Sequence, residues 1–217
     1  HYPLRRQRQM CIRDRKLLVD QMEKLGFNFK INMISENFKD FKILSNKKIN
    51  IINIEYNFNR SFEPISKKSR SYINNCFDKA LIFLKKNNLE KFINGPISKK
   101  HFLNREFLGI TEFLAHKNNK SNKVAMLIFN KKLSVSPITT HLPLKNVHKN
   151  LSIKKIINHV DLINTFYKNK FNKTPKIAIT GLNPHCESNF ESSEEKRIIV
   201  PAIKILNKVK YKVYGPF

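Results

Sequence analysis

Two stretches of this chain repeat apolar residues every three or four positions for four turns or more. Short apolar runs too brief to be helices fall on either side of them. The first stretch, Arg70 to Lys86, places Ile73, Cys76, Phe77, Ala80 and Leu84 on one face. The second opens at Ser152 and runs to about residue 170, with Ile153, Ile156, Ile157, Val160, Ile163, Phe166 and Tyr167 at 3/4 spacing. A further helix is expected over Lys16–Lys24, with Gly26 placed to end it. Another should reach about Lys208 from a capping box of Ser192 and Glu195. Strands are expected at 27–34, 49–54, 124–129, 133–139, 176–180 and 211–214, with a short one at 92–94. A tight polar turn at 130–132 should join the two strands flanking it. Strands alternating with long helices mean an α/β protein with a parallel or mixed sheet. No internal repeat or flexible linker interrupts the pattern. The 217 residues suit one large domain or two small ones sharing a boundary.

Composition narrows the class. Apolar residues make up 41% of the chain, enough for a packed core. No apolar run approaches the ~18–20 residues of a membrane span. Three widely spaced cysteines, Cys11, Cys76 and Cys186, do not form a disulfide framework and suit a reducing compartment. The formal charge is +26, which at face value suggests a polyanion partner. Yet 33 Lys, 27 Asn, 26 Ile and 17 Phe account for nearly half of the chain, and all four have A/T-rich codons. Compositional drift therefore competes with a selected basic surface. The lysines are scattered, whereas a nucleic-acid-binding protein, the remote alternative, would cluster them on one face beside stacking aromatics.

Five of the nine arginines lie in residues 1–15. The run from Arg6 to Arg15 back-translates to a transposon-type sequencing adaptor, so residues 1–15 are set aside as an artefact expected to pack against nothing. A basic amphipathic or targeting arm is the alternative. On this reading residues 16–217 are a fragment whose terminal segments are missing at both ends.

Ligands of open α/β sheets bind beyond the carboxyl ends of strands. Two histidines fall there: His141 in Thr139-Thr140-His141-Leu142-Pro143-Leu144, and His185 in Gly181-Leu182-Asn183-Pro184-His185. Each lies beside a proline that stiffens its loop. Together they suit either a shared divalent metal or two ordinary loop hydrogen bonds. His116, His148, His159, Cys186 and Glu187 are candidates for a third ligand, none of them compelling; His159 reads as a surface residue of its helix. The five glycines form neither G-x-G-x-x-G nor a P-loop, so a standard dinucleotide fingerprint is absent.

Four motifs appear in order: Gly95-Pro96-Ile97-Ser98-Lys99, Gly109-Ile110-Thr111-Glu112-Phe113-Leu114-Ala115, the His141 segment and the His185 segment. Glu194-Glu195, Pro201-Ala202-Ile203 and Gly215-Pro216 follow. Over residues 16–217 this resembles the 4-hydroxythreonine-4-phosphate dehydrogenase family of vitamin B6 synthesis. The resemblance implies a two-domain fold of the isocitrate-dehydrogenase type, with a mixed or parallel sheet, truncated here. It implies a cytoplasmic homodimer that uses NAD or NADP without the Rossmann glycines. It also implies one divalent metal (Zn, Mg or Co) held by three histidines. Two of these match His141 and His185, and the third belongs to a downstream segment. The family's GHTEF motif contacts the phosphorylated substrate through His and Thr. Thr111 matches the Thr, but Ile110 replaces the His, which puts the substrate's identity in question. The family's glycine-rich stretch after GLNPH is also replaced here, by residues 186–190.

The implied reaction is metal-assisted oxidation of 4-phosphooxy-L-threonine by NAD(P)+. Its product, 2-amino-3-oxo-4-(phosphooxy)butanoate, loses CO2 to give 3-amino-2-oxopropyl phosphate. A related dehydrogenase acting on another 4-phosphorylated hydroxy acid, of threonate or erythronate type, is the alternative. As metal ligands His141 and His185 act in their neutral form. Lys99 suits either a substrate-phosphate contact or a solvated helix start. Asn183 suits either orienting the metal site or closing an Asx turn. Cys186 suits either a soft ligand or a small packed residue. Glu194 and Glu195 are read as serving the helix N-terminus. Lacking the third ligand, the 217 residues alone are expected to be inactive.

Overall fold

The computed structural model describes residues 10–41, 44, 47–104, 106–121, 123–186 and 190–217. The chain divides into two compact units, His1–Asn104 and Arg105–Phe217. Both are α/β, with parallel strand pairing in each.

The first unit is built on a three-stranded parallel sheet of β1 (Met10–Arg13), β2 (Ile31–Met33) and β3 (Ile49–Asn53), in the order β1-β3-β2. The central strand carries Ile51 and Ile52, at 0% and 1% exposure. Successive strand residues point to opposite faces, and each isoleucine seeds its own core. Ile51 packs with Leu18 and Met22 of α1 (Arg15–Lys24). Ile52 packs with Ile34, Leu44 and Phe83 of α2 (Arg70–Lys86). Helices thus cover both faces, the arrangement that lets a parallel sheet be buried. The helix α1 ends as its sequence demands. Gly26 adopts φ +70°, its N–H bonds to the Glu23 carbonyl, and that of Phe27 bonds to Met22 at 2.9 Å, a Schellman closure.

The span 70–86 is helical throughout, free of Gly and Pro. Its deepest residues are Phe77, Ala80 and Phe83, so Phe83 rather than Leu84 anchors the last turn. Strand 27–34 shortens to β2. The short strand expected at 92–94 does not form, and those residues are exposed.

One expectation needs correcting. Residues 10–15 do pack: β1 pairs in register with β3, and Ile12 lies against the Ile52 core. Asp14 is buried, caps α1 by accepting from the Leu17 N–H at 2.6 Å, and accepts from the Tyr56 N–H at 3.0 Å. Its own N–H donates to the Tyr72 hydroxyl. The parallel ladder needs only backbone groups, which almost any short apolar run can supply, and the cap needs only one carboxylate, so neither shows in the codon pattern. Residues 1–9 lie outside the described residues.

The second unit centres on α5 (Ile153–Phe171) and α6 (Val200–Lys208), packed on a two-stranded parallel sheet of β4 (Ile177–Ala178) and β5 (Val213–Tyr214). Ile156 and Val160 of α5 meet Ala202, Ile203 and Leu206 of α6 over Val213. Ser152 caps α5 by accepting from the Lys155 N–H, and Asn172 in the left-handed conformation ends it. The strand expected at 176–180 is two residues long and half exposed rather than buried. The two expected strands at 124–129 and 133–139 reduce to a hairpin held by one bridge, Ile128 to Val135. Two shorter helices, α3 (Lys99–Phe102) and α4 (Ile110–Lys117), carry motif residues.

Candidate functional site

His141 sits where segment 133–139 ends. Ile138 packs on the α5–α6 core, and Thr139 and Thr140 are half-buried. His141 then turns with φ +57°, a left-handed conformation that histidine tolerates better than most non-glycine residues. The turn delivers its ring to the start of α4. A Cβ placed on Gly109 would stand 3.5 Å from His141 Nε2 and 2.9 Å from Glu112 Oε2. Gly109 therefore leaves the space into which the Glu112 carboxyl reaches, with the His141 ring in ordinary contact beside it. Thr140 donates to Glu112 Oε1 at 3.2 Å, so the two motifs are joined by a hydrogen bond as well as by packing. Glu112 Oε2 is buried with no hydrogen-bond partner among the described residues. Ile110 and Thr111 form the first turn of α4 beside them, both half-buried. The structure thus brings together His141, Ile110 and Thr111, and adds Glu112, whose part was not legible from the sequence. An acidic residue in a helix's first turn reads as a partner of the helix dipole unless the facing threonine is known.

His185 occupies a second loop, beyond the carboxyl end of β4. Pairing continues past the strand: the Gly181 N–H donates to the Phe217 carbonyl at 2.9 Å. The turn that follows is closed locally. Asn183 Oδ1 accepts from the His185 N–H at 3.0 Å, and the Asn183 carbonyl accepts from the Cys186 N–H at 3.0 Å. Asn183 thus closes an Asx turn. Cys186 Sγ lies over Gly181, 2.5 Å from where a Cβ would stand, which is the packed-residue reading. His141 and His185 are both exposed.

Glu195 departs from its expected role. It is 4% exposed, and its Oε1 accepts from the Leu182 and Asn183 N–H groups, each at 2.9 Å. These bonds hold its carboxyl below the usual carboxylate range, the Asn183 N–H foremost, against the opposing effect of burial. Ser193, not Ser192, accepts from a backbone N–H at the helix start, that of Lys196 at 3.3 Å. The first turns, Glu195–Ile199, are widened to π geometry before α6 begins.

His159 is a second correction. It is 9% exposed, and its Nε2 is 2.6 Å from Ser136 Oγ. The serine's single proton goes to the Met126 carbonyl, so His159 donates from Nε2. Burial, and the Lys155 charge after it, lower the pKa of this imidazole. In the first unit, Lys99 opens α3, exposed to solvent, and Ser98 and His101 are joined at 2.8 Å. Ser98 and His101, but not Lys99, help to line a cavity of about 250 Å³ with Tyr56, Arg60 and Pro96. Among the described residues no three His, Cys, Asp or Glu side chains converge to hold a metal. Glu187 lies outside the described residues. No described helix is long and apolar enough to cross a membrane.

A model of the pyridoxal phosphate biosynthetic protein PdxA family matches residues 5–217. The chain belongs to this family. It is 37% identical over 172 residues to a 4-hydroxythreonine-4-phosphate dehydrogenase of Sulfurihydrogenibium sp., covering 77% of this chain and 52% of that protein. It is 30% identical over 144 residues to the D-threonate 4-phosphate dehydrogenase of Salmonella typhimurium, covering 65% of this chain and 44% of that one. The chain spans about half the length of these two relatives. A crystal structure of a 4-hydroxythreonine-4-phosphate dehydrogenase from Burkholderia phymatum superposes with a TM-score of 0.79 at 23% identity, over 100% of this chain and 67% of that one. That likeness establishes the shared fold.

Proposed function

We propose that this chain carries the substrate turn and two metal-binding histidines of an NAD(P)-dependent 4-hydroxythreonine-4-phosphate dehydrogenase. The observation that carries this reading is the meeting of His141 with the start of α4, where its Nε2 lies 3.5 Å from the position of a Cβ on Gly109. Two exposed imidazoles suit a divalent cation such as Zn or Co, with Mg as the harder alternative. When bound, the cation supplies Lewis acidity at the substrate hydroxyl, and the nicotinamide supplies the hydride acceptor.

The chain's own residues provide placement. His141 and His185 act as neutral nitrogen donors, so acid opposes them. Thr111 offers a hydroxyl to the phosphorylated substrate from the first turn of α4. Ile110 offers apolar surface only. A third ligand and the remaining cofactor contacts come from the part of the relatives' length that this chain does not span. The enzyme acts as a cytoplasmic homodimer. The overall change is oxidation of 4-phosphooxy-L-threonine to 2-amino-3-oxo-4-(phosphooxy)butanoate, which decarboxylates to 3-amino-2-oxopropyl phosphate.

A chimera tests this. Residues of this chain replace the matching part of the Sulfurihydrogenibium relative, and NAD(P)+ reduction is followed with 4-phosphooxy-L-threonine and with D-threonate 4-phosphate. Turnover of the first in preference, abolished by His141→Ala or His185→Ala, supports the reading. Preference for the second supports the threonate alternative, which Ile110 favours by removing a polar contact. Unchanged turnover in both histidine variants defeats the metal assignment. The 217-residue chain alone is expected to reduce no NAD(P)+.

A further inference from the structure

We propose that Glu195 is the positioning residue of His185: from the start of the following helical segment it grips the backbone of the 181–185 turn and fixes where that imidazole is presented. The inference rests on the reading of His185 as a metal ligand only for its consequence, not for its geometry.

The geometry has three parts. Glu195 is 4% exposed as a residue, and a charge held there without partners is costly. Its carboxylate is satisfied by the turn rather than by a cation: one oxygen accepts two successive backbone N–H groups, Leu182 and Asn183, at 2.9 Å each. Two adjacent N–H groups converging on one oxygen fix the orientation of two peptide planes at once. Asn183 passes this constraint on, because its own side chain accepts the His185 N–H. Glu195 is thus two hydrogen bonds away from the backbone of the proposed ligand. Gly181 completes the grip. A Cβ there would lie 3.3 Å from Glu195 Oε1 and closer still to Cys186 Sγ and the Asn183 carbonyl. The glycine admits both side chains over the turn.

A role confined to the helix is poorly matched to this arrangement. The helix start is served by Ser193, and although the Glu195 carboxyl also meets its own N–H there, the Asn183 N–H of the turn acts on it more strongly. Groups that orient a metal ligand from behind typically change affinity 10–100-fold when removed.

The test uses the 217-residue chain as it stands. Amide hydrogen exchange is read at Leu182, Asn183 and His185, and Zn2+ is titrated while the His185 ring signals are followed by NMR. In Glu195→Ala, protection at all three amides should fall at least tenfold, and zinc should bind His185 at least tenfold more weakly. Glu195→Gln, which keeps an acceptor oxygen, should restore most of both. Should Glu195→Ala fail to fold, Glu195→Asp carries the test. Its carboxylate sits one methylene short of the turn, so intermediate loss is expected with the rest of the exchange pattern unchanged. Native protection and native zinc affinity in Glu195→Ala, or in Glu195→Asp where it stands in, overturn the proposal. Loss of protection together with zinc that never perturbs His185, even in the wild type, upholds the grip and overturns the metal reading instead.

Discussion

The two histidine loops place an exposed imidazole just past the core of the second unit, but they are held by opposite means. The His141 loop is held through side chains: Thr140 on Glu112, and the ring against Gly109. Its own backbone bears a left-handed residue. The His185 loop is held through backbone N–H groups, two on Glu195 and one on Asn183. Side-chain fastening lets neighbours adjust when one of them changes. Backbone fastening to a buried charge does not, because the peptide planes themselves would have to move.

The sharpest break of this contrast is at the glycines. Gly181→Ala would drive a Cβ to 3.0 Å from the Asn183 carbonyl and 2.5 Å from Cys186 Sγ. A loss of about 2–3 kcal/mol in urea unfolding is expected. Adding Cys186→Ala should recover about 1 kcal/mol of it, because the sulfur is the closest obstacle. Thr140→Val should cost about 1–2 kcal/mol, since Glu112 loses a partner while staying where it is. Gly109→Ala meets only the end of the Glu112 side chain at 2.9 Å, so a loss below about 1 kcal/mol is expected. Its effect should appear as a shift of the His141 ring resonances. Equal costs at the two glycines would show that the loops are not fastened differently.

The smallest effect is a slope. The His159 pKa is lowered by burial, so the folded state holds fewer protons than the unfolded one as pH falls past the ordinary imidazole value of about 6.5. The contribution of this residue is full above that value and declines as pH falls through the folded pKa. The Ser136 tie lies on the segment leading to His141, not on the one leading to His185. Mild acid should therefore raise amide exchange at 134–140 before it does at 182–185. In His159→Gln this difference should vanish.

The long helices were readable because a 3.6-residue period sustained over four turns leaves no other solution; Ser152 marked the start of one, and Gly26 the end of the shorter α1. Strands were readable only where buried on both faces, as at Ile51 and Ile52. Pairs of two residues such as β4 and β5 carry too little pattern to be delimited. The motif histidines were readable through family likeness. Glu112, His159 and Glu195 were not, for one physical reason. Each has a partner 12 or more residues away, Thr140, Ser136 and Leu182 respectively. Nothing in local spacing distinguishes a glutamate that serves its own helix from one that serves a loop. On its helix, His159 falls between Asn158 and Val160 and reads as easily outward as inward.

The hairpin at 126–136 has one bridge, yet it is bolted along α5 at three heights. Phe129 stacks on Phe171 at 5.3 Å, the Tyr167 hydroxyl donates to Ser134, and His159 donates to Ser136. On the picosecond-to-nanosecond timescale this segment should therefore tumble as part of the helix, with backbone order parameters near 0.85 instead of the loop-like values below about 0.6. A connection that ladder pairing alone would class as a floppy arm is, in relaxation terms, an extension of a rigid rod about 28 Å long.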